Sequence, residues 1–174
     1  MAERLLREPH LRGQGLVLKG LVAAEQGDSA EARKELEQAV REHPSDLDIR
    51  QTLCRYLFEH GQPTEAEQAL KELLHVDPED AAAHHNLGTV LMRLGRYSEA
   101  IKAYRESLRH RPNSPGTYFQ LGNALKANGR QKEAVAAWEQ VLRLCPGDPA
   151  ATEALQQARA APKKRRELLI AGPT

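Results

Sequence analysis

Proline recurs along this chain at a fixed step: Pro44, Pro78, Pro112 and Pro146 are each 34 residues apart. Gly27, Gly61, Gly95 and Gly129 keep the same step, as do Ala32, Ala66, Ala100 and Ala134, and Glu31, Glu65, Glu99 and Glu133. Four series in one register make the chain a tandem array. Each unit must then be one supersecondary structure that buries its apolar face against its neighbours.

Within a unit, apolar residues recur twice at helical spacing, as in Leu87, Leu91 and Leu94 and then Ile101, Tyr104 and Leu108, which predicts two amphipathic helices. The glycine series falls where the first helix has to stop, and predicts left-handed closures at Gly27, Gly61, Gly95 and Gly129. Asp46, Asp80, Ser114 and Asp148 precede the next first helix, where a side-chain oxygen can accept the free N–H groups. Pro115 and Pro149 follow, in the first helical position that proline tolerates. The glutamate series falls in the first turn of each second helix, where negative charge meets the positive end of the dipole. Capping, not chemistry, accounts for these acids.

Only 4% of the residues are aromatic, and a core of Leu, Ala and Val lets helix axes approach closely. The net charge of +1 argues against a bulk electrostatic role on nucleic acid or an acidic membrane. Cys54 and Cys145 form neither a disulfide framework nor a metal knuckle, which points to a reducing, cytoplasmic setting. The opening "MAERLLREPH" lacks the apolar run of a signal peptide, and no stretch approaches the ~18 apolar residues of a membrane span.

The fourth unit carries Tyr118, Leu121, Gly122, Leu125, Ala134, Trp138 and Pro146, and the third His84, Leu87, Gly88, Leu91, Ala100, Tyr104 and Pro112. Both resemble the tetratricopeptide repeat, W-x-x-L-G-x-x-Y, then A-x-x-x-F, then P. The second unit departs with Arg50 at the aromatic place and Cys54 at the glycine, but keeps Leu53, Leu57, Ala66, Leu70 and Pro78. The first keeps Gly20, Ala32, Leu36 and Pro44 and puts Lys19 where leucine is expected.

The resemblance implies an all-α, right-handed superhelical solenoid of four helix-turn-helix repeats, residues 13–46, 47–80, 81–114 and 115–148. A capping helix over 149–161 would present Ala151, Leu155 and Ala158 on one face, followed by a basic tail, 162–174. Residues 1–12 read as an N-terminal helix, either the remnant of an upstream repeat or a purpose-built N-terminal cap.

In tetratricopeptide stacks the first helices line a groove, through the second, fifth, ninth, twelfth and thirteenth places of each unit. That resemblance assigns to it Gln51, Arg55 and Phe58, then His85, Thr89, Met92 and Arg93, then Phe119, Asn123 and Lys126, with Asn86 and Gln120 on the floor. The first unit would add Gln14, Val17, Leu21 and Ala24. Both phenylalanines of the chain fall on this surface, with arginine nearby, a composition typical of binding hot spots. The family's clamp for the C-terminal carboxylate of heat-shock chaperones needs Lys and Asn, then Asn, then Lys and Arg. This chain offers Gln51, Arg55, Asn86, Gly116 and Gln120, of which only Asn86 matches, so that partner is not expected.

No nucleophile motif or phosphate loop is present. His84 and His85 point about 100° apart on a helix and cannot share a metal. His84 fills the aromatic packing place and His85 faces the groove. Cys54 sits at a small-residue packing place, where a buried, inert thiol is expected. "KKRR" at 163–166 reads as a solvated tail. The expected function is a non-catalytic scaffold, without cofactor or metal, that binds a protein or peptide in its groove. The alternative is an accessory repeat region of a larger bacterial-type enzyme such as a glycosyltransferase, for which an open frame continuing upstream would speak.

Overall fold

The structure, a computed structural model, describes residues 11–61 and 63–160. The expected N-terminal helix falls almost wholly, and the basic tail wholly, outside those residues. All regular structure among the described residues is helical: α1 Arg12–Glu25, α2 Ser29–Glu42, α3 Leu47–His60, α4 Pro63–Val76, α5 Ala81–Arg93, α6 Tyr97–His110, α7 Pro115–Ala127, α8 Gln131–Leu144 and α9 Pro149–Ala160. None of these helices is long and apolar enough to cross a membrane. The chain forms two compact units, Met1–Pro112 and Asn113–Thr174, described in turn.

In the first unit α1 pairs with α2, α3 with α4 and α5 with α6, while α2 also packs on α3 and α4 on α5. The first helices α1, α3 and α5 touch in sequence, so they share one face. Leu36, Leu70, Leu73, Val90, Ile101 and Tyr104 are buried in the contacts between helices. Asp46 accepts from the Ile49 N–H at 3.1 Å, and Asp80 from Ala82 and Ala83 at 2.8 and 3.0 Å, so both cap the helices they precede.

Gly27 and Gly95 close α1 and α5 at φ +82° and +73°, and the N–H of the residue after each glycine, Asp28 or Arg96, returns to Ala23 or Leu91 at 2.9 Å, a Schellman closure. Gly61 departs from the expectation, with φ −89° and ψ 176°. Here α3 runs to His60, and α4 opens on Pro63 where Ser29 and Tyr97 stand in the neighbouring units; a proline there changes which conformations can lead into the helix. Glycine is still required, because its N–H bonds the Leu57 carbonyl at 2.9 Å and an added Cβ would come within 2.6 Å of that oxygen.

Lys19, at the leucine place, donates to Glu35, whose side chain is only 4% exposed while that of Lys19 is 46% exposed. The other Glu35 oxygen is buried without a hydrogen-bond partner. In the remaining units these two places hold Leu53 with Ala69, Leu87 with Ala103 and Leu121 with Ala137. Lysine and glutamate have therefore replaced leucine and alanine as a pair. Along the second helices, Arg33 donates to Glu65 at 2.8 Å, and Arg96 to both oxygens of Glu67 at 2.8 Å, tying one hairpin to the next.

In the second unit α7 pairs with α8 and α9 covers α8 through Ala151 and Leu155, both buried. Ser114 and Asp148 cap α7 and α9. Trp138 is fully buried and lies against Gly122, where a Cβ would come within 2.4 Å of the indole Nε1.

Candidate functional site

Three cavities lie along the face shared by α1, α3 and α5, and some of the expected binding residues line them. Between α3 and α5 lies a cleft of about 460 Å³ lined by Gln51, Arg55 and Asn86, and also by Asp48, Thr52, Asp80, Ala82 and Arg111, over a floor of Cys54, Leu70, Leu73 and Ala83. Gln51 Nε2 donates to Asp80 Oδ2 at 2.9 Å. Because the other Asp80 oxygen caps α5, that carboxylate is fully engaged.

Between α1 and α3 a smaller cavity of about 210 Å³ is walled by Val17, Leu18, Leu21 and Ile49, with Gln14 at its edge. A third, of about 330 Å³, is lined by Leu21, Ala24, Tyr56, Glu59, His60 and again Arg55. Arg55 thus borders cavities on both sides of α3.

The other expected residues of this unit are engaged differently. Arg93 lies 4.9 Å above the Phe58 ring and donates to the Phe58 carbonyl at 3.2 Å, fastening the end of α5 to the end of α3. Phe58 also packs against the core and is half-buried. Thr89 Oγ1 lies 3.0 Å from the Tyr104 hydroxyl, and the His85 ring meets Tyr104 edge-on at 5.6 Å. Burial pushes the His85 pKa down, so this imidazole is neutral near pH 7. Met92 is half-buried near the end of α5. His84 stacks on His110 at 5.9 Å with its Nε2 2.9 Å from the Pro78 carbonyl, a packing role.

In the second unit, Phe119, Gln120 and Asn123 are half-buried on α7, and Lys126 is exposed with its Nζ 5.9 Å above the Trp138 ring.

Asp48, Thr52, Asp80, Ala82 and Arg111 line the cleft without having been expected there. Asp48 occupies the second place of its unit, which the groove rule itself points to. Arg111 follows α6, so a rule about first helices cannot find it.

A cavity of similar size, about 470 Å³, opens between second helices α2 and α4 over Val40, Leu53, Leu57 and Ala69. Its rim closes on itself, Arg33 bonding both Glu37 and Glu65, and offers a ligand fewer unpaired groups than the α3/α5 cleft does.

Among the described residues, no group of three or more His, Cys, Asp or Glu side chains is placed to hold a metal. Cys54 is buried, which pushes its thiol up to about 12, so almost no thiolate exists at neutral pH. Cys145 is exposed. A thiol-specific chromogenic reagent should therefore modify one cysteine rapidly in the native protein and the second only on unfolding. Two fast thiols would show that Cys54 is reachable.

Three solved structures place these hairpins among known folds. One of MamA superposes with a TM-score of 0.75 at 22% identity, over 80% of this chain and 81% of that one. A second MamA structure gives 0.78 at 20% identity, over 84% and 80%. MamA from residue 41 to its end, from Desulfovibrio magneticus RS-1, gives 0.77 at 18% identity, over 84% and 83%. At such identities the likeness establishes the helical-repeat solenoid fold alone. A search among curated proteins finds no match. The tetratricopeptide repeat family model matches residues 2–146, most of the chain, and with the helical hairpins this shows that the chain belongs to the tetratricopeptide repeat family.

Proposed function

We propose that this chain is a non-catalytic scaffold that holds a peptide segment or partner helix against its first helices. The observation that carries the proposal is the run of cavities along α1, α3 and α5, with Arg55 between two of them. Apolar walls beside a few polar groups are what a peptide site needs. Asn86, whose side chain makes no hydrogen bond among the described residues, is suited to bond a ligand's main chain. Phe119, Gln120, Asn123 and Lys126 offer a comparable surface on α7. The near-zero net charge favours protein over nucleic acid as the partner, and the two free cysteines suit a reducing, cytoplasmic setting.

The test is selection of binding peptides from a random displayed library, followed by titration of a selected peptide. A peptide held on α3 and α5 should bind at least ~10-fold more weakly on Asn86→Ala, and one held on α7 on Phe119→Ala, in keeping with loss of an interface anchor, while the far-UV helix signal is unchanged. A peptide that binds both variants as tightly as the parent would move the site off the first helices and sink the proposal.

A further inference from the structure

We propose that the α3/α5 cleft selects an acidic peptide: one Asp or Glu carboxylate held between the guanidinium groups of Arg55 and Arg111, with the Asn86 amide bonding the adjoining main chain. The inference rests on the reading of the first-helix face as a peptide site.

The arginines themselves carry the argument. Every other arginine described in the first unit is engaged within the chain: Arg12 with Glu42, Arg33 and Arg41 with Glu37, Arg50 with the Pro44 carbonyl, Arg93 with Phe58, Arg96 with Glu67 and Glu99, Arg109 with Glu106, and Arg105 likewise has a partner. The side chains of Arg55 and Arg111 make no hydrogen bond or ion pair among the described residues, and these two line the same cleft.

The repeat does not call for arginine at either place. Leu21, Thr89 and Asn123 stand where Arg55 does in the other units, and His43, Asp77 and Cys145 where Arg111 does. Packing therefore leaves both charges unexplained. A guanidinium presents a planar fork of donors that matches a carboxylate, and two of them beside an apolar floor compensate its desolvation better than one.

The cleft's own acids narrow the ligand. Asp80 is consumed by Gln51 and the α5 N-terminus. Asp48 makes no side-chain bond and repels a second negative charge, so a single acidic residue flanked by neutral or basic ones fits.

The same displayed library tests this. The parent protein should enrich peptides with one Asp or Glu in that setting, and Arg55→Glu combined with Arg111→Glu should enrich Lys or Arg in its place. A selected peptide should lose at least ~10-fold in affinity when its acidic residue is replaced by the amide, the loss of one charged hydrogen bond. Equal binding of acid and amide peptides would overturn the proposal without any protein variant having to fold. If binding is indifferent to peptide charge but falls on Asn86→Ala, the first-helix site stands and its acid selectivity does not. If neither Asn86→Ala nor Phe119→Ala matters, or no peptide is enriched, both readings fall.

Discussion

Lys19→Leu is expected to destabilise the first unit, and Lys19→Leu combined with Glu35→Ala to restore it. The single change leaves the Glu35 carboxylate in a site where its side chain is 4% exposed, and also removes the ammonium that reaches Glu31 at 3.5 Å. Orphaning one member of a fully buried pair costs ~3–5 kcal/mol, and about 2–3 kcal/mol is expected here because half of Lys19 already sits in water. The double variant recreates the Leu and Ala pairing of the other three units. Thermal melts of the parent, both single variants and the double form a cycle whose coupling should be strongly favourable. Additive single effects would mean that Glu35 is solvated from elsewhere.

Gly122→Ala should destabilise the second unit by ~1–3 kcal/mol, the usual range for overpacking a filled core. The new Cβ would come within 2.4 Å of Trp138 Nε1 and 2.6 Å of Cδ1, and the indole has nowhere to retreat because it is fully buried. The repeat over residues 47–80 shows how the chain accommodates a side chain at this place: Cys54 and Leu70 share one core cluster, with a branched aliphatic where the repeats over 81–114 and 115–148 carry a ring. Gly122→Ala with Trp138→Leu should therefore cost less than the sum of the two changes. A Gly122→Ala protein that melts with the parent would show that the ring can shift.

The repeating positions were legible because each has a local physical reason. Helical spacing at Leu87 and Leu91, a capping oxygen at Asp80 and a proline after the hairpin all act within one unit. What escaped depends on distance in sequence or on a second reason for the same residue. Gly61 falls in the glycine series, but close approach to the Leu57 carbonyl, not handedness, demands it. Lys19 reads as a lapse from the repeat until Glu35, on another helix, is compared with Ala69, Ala103 and Ala137.

The candidate site divides along similar lines. The family resemblance assigned Gln51, Arg55 and Asn86 to one groove, and they line one cleft. It could not foresee that Thr89 and His85 lean on Tyr104 or that Arg93 clasps Phe58, since those contacts depend on which side chain the neighbouring helix presents. Nor could it foresee Arg111, which reaches the cleft from the end of α6.

Trp138 is the chain's one tryptophan, and its burial in the second unit has an optical consequence. Its emission reports the opening of α7 from α8, while circular dichroism sums every helix from α1 to α9. A single sample followed by both signals thus carries two independent clocks. The gap between their midpoints measures how far α7, α8 and α9 can come apart while α1 to α6 remain folded.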